Sequence, residues 1–198
     1  MLIKPFVPAI AAGVCALVCA SVQAAPVQYT KQTVVAQRTA LKGVLGKVAA
    51  AVPVKVVRKH GDKALVRIEG WTLADFPSQL FSEAGVRIEY ATFEEEDTLA
   101  VDKKAAPKVI ADNTWVKASA EVWVPAKSLT GDLQGLWKQG KTRLANACSS
   151  CHGAPDAAHF TANQWASQLP EKGGRAGHSR AGANEVMFKY LQAHAKKP

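Results

Sequence analysis

The chain has 198 residues, 48% of them apolar, and carries 25 Lys and Arg against 16 Asp and Glu, a formal net charge of +9. That apolar content, with no low-complexity segment, excludes a disordered chain. The excess of base would suit nucleic acid, but the basic residues are scattered rather than clustered and the N-terminus reads as an export signal, so a nucleic-acid partner is excluded.

Residues 1–24 hold one charge, Lys4, then an apolar run from Pro5 to Val22 and the small-residue ending Val22-Gln23-Ala24, the layout of a cleaved secretory signal peptide. Pro5, Pro8 and Gly13 weaken the run as a permanent span, so membrane contact is expected only transiently, through the signal peptide. Cys15 and Cys19 each follow valine rather than the small residue of a lipoprotein signal. Cleavage leaves two of the four cysteines and 24 basic against 16 acidic residues, +8. With no disulfide framework left, the expected compartment is a bacterial periplasm in which a cofactor helps to stabilise the fold.

Residues 25–50 read as an N-terminal tether or first barrel strand, since Gly43, Gly46 and the β-branched residues lower helix propensity there. From Val52 the apolar period becomes two. Val54, Val56 and Leu65 to Ile68 flank the turn-forming Lys59-His60-Gly61-Asp62, a hairpin signature in which His60 is a solvated tip residue. Val86, Ile88 and Tyr90 alternate with polar neighbours, and Thr98 to Val101 follows the acidic turn Glu94 to Asp97. Lys103 to Lys108 is expected as an exposed loop. Thr114 to Lys117 and Glu121 to Val124 are expected to pair across Ala118 to Ala120. The order Gly70-Trp71, Trp115, Trp123-Val124 resembles a bacterial SH3-type small β-barrel over residues 51–125, with the three tryptophans in its core. Pro125 to Thr130 would be a linker to a second domain, residues 126–198.

That domain is organised around Cys148-Ser149-Ser150-Cys151-His152. Two thiols three residues apart followed at once by histidine is the spacing that attaches a c-type haem, each thiol adding to one vinyl group and His152 serving as proximal iron ligand. A thioredoxin-like reading would need a βαβ surround, and a zinc reading a second ligand pair. Leu133, Leu136, Trp137, Leu144 and Ala147 recur at helical spacing into the motif, and Val186, Met187, Tyr190, Leu191 and His194 predict a closing helix over 183–195. Class I cytochromes c cross their first and last helices at a glycine and an aromatic, and Gly140 and Tyr190 stand where that resemblance wants them.

The segment His159-Phe160-Thr161-Ala162-Asn163-Gln164-Trp165, the closing Lys189 to Ala195 and the Gly-Trp β block together resemble the C-terminal monohaem domain of the pentahaem cytochromes that serve trimethylamine-N-oxide and dimethyl-sulfoxide reductases. The resemblance covers residues 40 to 198. It implies an SH3-like β-barrel followed by an all-α class I-type cytochrome c domain, one covalent haem c on Cys148 and Cys151, and His152 on iron. The implied role is electron transfer, not catalysis, with a molybdenum-containing reductase and a quinol-oxidising cytochrome as partners. Only one Cys-x-x-Cys-His is present, so the family's tetrahaem module is absent from this chain and electrons must arrive from another protein.

The distal iron ligand stays open. Related domains place methionine where this chain has Lys172; Met187 lies inside the last helix; His159 is on the proximal side; and His178, flanked by Gly173, Gly174 and Gly177, is the favoured candidate. Lys138 to Pro198 holds nine basic and three acidic residues, net +6, so a redox partner with an acidic docking surface is expected. The competing function is a haem-based sensor, in which an open sixth position takes a small ligand and the barrel contacts a signalling partner. His178, Arg175 and Arg180 read as a solvated basic loop rather than a catalytic cluster.

Overall fold

The computed structural model describes residues 26–149, 153–169 and 181–197, and the expected signal peptide lies outside them. The residues expected as a tether or first strand form β1 (Gln28–Thr30), β2 (Val34–Gln37) and β3 (Val44–Val48), in keeping with their β-branched content. β4 (Pro53–His60) and β5 (Lys63–Leu73) are the hairpin expected around Lys59 to Asp62. His60 pairs with Lys63, and Gly61 takes φ +56° in the two-residue turn, which costs glycine nothing. β6 (Gln79–Glu83), β7 (Val86–Phe93), β8 (Ala100–Val101) and β9 (Lys108–Ile110) follow, with Glu94 to Asp97 exposed and Arg38 ion-paired to Glu95.

β10 (Asn113–Pro125) corrects the hairpin expected from Thr114 to Val124. The two segments are one strand, because Ala118-Ser119-Ala120 contains no strong turn former and its two alanines alternate into the interior. The expected linker is likewise tied down: a single 3-10 turn (Ala126–Ser128) leads into β11 (Leu129–Thr130), which pairs with β1.

Strands β5, β6, β7, β3, β2 and β10 hydrogen-bond in cyclic order, and the register of β10 on β5 runs unbroken from Trp115↔Leu73 to Pro125↔Lys63. Six strands therefore close a barrel, while β4, β1 and β11 extend the sheet from β5. Val48, Val66, Ile68, Leu80 and Val122 fill the interior with no measurable exposure, and small Ala36, Ala91, Ala118 and Ala120 suit so narrow a lumen. Burying each of the larger side chains contributes roughly 1.5–3 kcal/mol.

Trp115 and Trp123 are buried as expected and Trp71 is half-buried, but all three lie outside the barrel lumen. Interior positions on β5 and β10 are even-numbered (Ala64, Val66, Ile68; Ala118, Ala120, Val122, Val124), so Trp71, Trp115 and Trp123 belong to the outer face. Trp123 is covered by the Arg58 guanidinium, 5.2 Å from its centroid, and by the ring of His60; Trp115 is covered by Phe81.

The C-terminal part comprises α1 (Leu133–Cys148), α2 (Ala162–Gln168) and α3 (Glu185–Ala193). The expectation of an SH3-like barrel followed by an all-α class I-type cytochrome c domain is overturned. Strands make up 42% and helices 28% of the described residues, and the helices are docked on the sheet instead of standing apart from it. The reason lies in β7. Its register with β6 shifts between Leu80 and Phe81 and again between Phe81 and Glu83, and along the same stretch helix side chains take the backbone groups. Asn163 Nδ2 donates to Gly85 O (2.9 Å), and its Oδ1 accepts from Arg87 N (2.7 Å). Gln192 Nε2 donates to Arg87 O (2.9 Å), and the buried Lys189 Nζ donates to Glu89 O. Three side chains thus satisfy main-chain groups that a helix cannot pair with its own backbone.

Asn163→Ala removes two of these bonds and should lower stability by about 1–2 kcal/mol, read as a lower urea midpoint at unchanged m-value. An unchanged midpoint would show that the clamp contributes nothing.

Candidate haem site

The helix that delivers the first thiol begins at Asp132, whose side chain caps it by accepting from Gly135 N at 2.8 Å. Leu136, Gly140 and Leu144 are its buried residues, one helical turn apart, and Cys148 is the next position on that stripe. The stripe faces α3. At Gly140 the two helices come so close that a β-carbon there would lie 2.6 Å from Tyr190 Cβ and 2.8 Å from Val186 O, which is the contact expected of this pair. Trp137, Tyr190 and His194 pack ring on ring beside the crossing, and Arg143 Nε donates to Asn184 Oδ1 (2.8 Å) at the start of α3.

Leu144, Ala157, Trp165, Met187, Phe188 and Leu191 form a second apolar cluster, distinct from the barrel core, and the half-buried Cys148 packs against it together with Phe160. Burial pushes the Cys148 thiol above its ordinary pKa. The chain after the haem motif is folded back over this cluster by local bonds. Trp165 Nε1 donates to Ala157 O (2.8 Å), Asp156 accepts from Ala158 N (2.9 Å), and Thr161 and Gln164 cap α2 reciprocally.

Of the residues singled out in the sequence, Cys148 ends α1, Met187 is 1% exposed inside the apolar cluster, and His159 is exposed with its ring edge-on to Phe160 at 4.6 Å. Cys151, His152, Lys172 and His178 lie outside the described residues. Sequence reasoning did not single out Asn163, Lys189 or Gln192 as the side chains that fix the helices to β7, although all three lie in the two segments that carried the family resemblance.

The described residues fit a covalently attached haem. A half-buried thiol at a helix end, bordered by indole, phenyl, thioether and aliphatic side chains, offers an attachment point beside a dry surface that an apolar macrocycle needs.

The chain matches the protein-family model described as the TorC third cytochrome c domain over residues 21–129, the barrel half, so the haem motif lies beyond the matched stretch. It is 30% identical over 162 residues to the cytochrome c-type protein TorC of Escherichia coli K12, covering 76% of this chain and 39% of that protein. To the cytochrome c-type protein TorY of Haemophilus influenzae it is 29% identical over 137 residues, 69% of this chain and 37% of that protein. The chain thus spans about two fifths of the length of these relatives. No solved structure matches it.

Proposed function

Because the chain belongs to the TorC-type cytochromes c, a family of electron carriers rather than enzymes, we propose that it is a periplasmic carrier of single electrons through one covalently bound haem c. The observation that supports this reading most is Cys148, set at the end of α1 on the stripe that buries Leu136, Gly140 and Leu144. When bound, haem c supplies a one-electron iron couple. The chain supplies the rest. Cys148 and Cys151 would hold it by thioethers, His152 would bind the iron, and the apolar cluster of Leu144, Trp165 and Leu191 beside Cys148 would limit the access of water.

For the sixth iron position we retain His178. Met187, a candidate within the described residues, is enclosed among Leu144, Trp165 and Leu191, where a methionine packs as core. His178→Ala should convert a low-spin ferric spectrum to high-spin, and an unchanged low-spin spectrum would move the ligand to Met187 or Lys172.

The partner we propose is a molybdenum-containing terminal reductase, with a quinol-oxidising cytochrome as donor. Nine basic against three acidic residues in Lys138 to Pro198 leave this part net +6, which steers it toward an acidic surface. The test is the second-order rate of electron exchange with such a reductase as ionic strength increases. The rate should fall as the Debye length shrinks through about 10 Å near 0.1 M salt. A rate that is flat or rising with salt would exclude acidic docking, and no exchange at any salt would exclude the carrier role with this reductase.

A further inference from the structure

On the outer wall of the barrel, two ammonium groups converge on one indole. Lys117 is the direct cross-strand neighbour of Trp71 and puts its Nζ 5.8 Å from the ring centroid; Lys108 reaches over from β9 and puts its Nζ at 4.7 Å. Among the described residues neither ammonium has a carboxylate within 4.0 Å. The two acidic side chains nearby are engaged elsewhere. Glu69 is bonded by Lys55 (3.0 Å) and Arg67 (3.2 Å), which hold its carboxyl below the usual carboxylate range. Asp102 Oδ1 accepts from Lys104 N (2.9 Å) in the turn after β8. Like charges drawn to one ring without a counter-ion attract an anion, and the ring offers a flat apolar seat beneath it.

The surroundings extend this seat. A groove of about 400 Å³ runs alongside, lined by Arg67, Trp71, Lys117 and Ser119 together with the already engaged Glu69 and Asp102. A groove of that volume takes more than a single small ion.

We propose that the Trp71 face, with Lys108 and Lys117, is a docking site for an acidic, partly apolar segment of a partner protein. Its carboxylates would meet the two ammonium groups while its apolar side chains cover the exposed part of Trp71. The site belongs to the barrel and does not depend on the haem reading.

The test follows the five indole N–H resonances of the full chain by NMR while a ten-residue peptide of alternating glutamate and valine is added. The Trp71 signal, assigned by its loss in Trp71→Phe, should move most. The double variant Lys108→Gln/Lys117→Gln should weaken binding about tenfold, and the charge-reversed Lys108→Glu/Lys117→Glu more, with the other four indole signals in place as proof of folding. A peptide that moves Trp137 instead, or that binds both variants as tightly as the parent, would overturn the proposal. So would inorganic phosphate at equal charge concentration moving Trp71 as far as the peptide does, since that would reduce the site to non-specific ion pairing.

Discussion

Cys148→Ser/Cys151→Ser should leave a chain with no covalently attached haem. Each serine removes a sulfur that would form a thioether, and an iron–histidine bond alone does not survive denaturation. The readout is the denatured protein's mass and its haem stain on a denaturing gel: one haem in the parent, none in the double variant. The loss should also reach the fold unevenly. The apolar cluster around Leu144, Trp165 and Leu191 is small and Cys148 packs against it, so the helices should melt earlier without the group. The barrel, with its own core of Val48, Val66, Ile68, Leu80 and Val122, should persist. Covalent haem in the double variant would refute the assignment of both cysteines.

Replacement of Gly140 should give the largest structural loss. Alanine at an exposed helix position gains about 1 kcal/mol over glycine. Here its methyl would stand 2.6 Å from Tyr190 Cβ and 2.8 Å from a main-chain oxygen of α3, and neither is the free end of a flexible side chain. The helices must separate, which costs roughly 1–3 kcal/mol for one added carbon and more for a larger residue. Gly140→Ala should therefore be less stable than the parent despite its helix propensity, and Gly140→Leu should lose α1–α3 packing altogether. The near-ultraviolet circular dichroism of Trp137 and Tyr190, which flank the crossing, should fall in parallel with the urea midpoint. A Gly140→Ala protein as stable as the parent would show that the helices are not in contact there.

The parts legible in the sequence were those set by local periodicity. Lys59 to Asp62 announced the β4–β5 hairpin, and the spacing from Leu133 to Cys148 announced α1. Gly140 and Tyr190 announced a crossing because close approach leaves room for no other residue. What failed depended on tertiary context. Ala118-Ser119-Ala120 looked like a break between two strands, yet small residues inside a six-stranded barrel are what lets β10 run on. The tryptophans looked like lumen core by size; parity against β5 puts them on the outer face, where Trp115 and Trp123 are still buried and lysine, arginine, histidine and phenylalanine cover the rings. An all-α C-terminal domain followed from the helical pattern and the cytochrome resemblance, neither of which carries the docking on the sheet. Nothing periodic in Asn163, Lys189 or Gln192 reveals that they bond to the backbone of a strand some 75 to 105 residues earlier.

One measurement addresses the central claim directly: a potentiometric titration of the purified, haem-loaded chain followed optically, with the haem content of the same sample fixed by denatured mass. A carrier of single electrons through one covalent haem should give one reversible one-electron transition, with a single haem per chain that stays attached on denaturation. A chain that exports and folds with the haem-attachment machinery present yet carries no covalent haem, or one whose haem shows no reversible one-electron transition, would contradict the account.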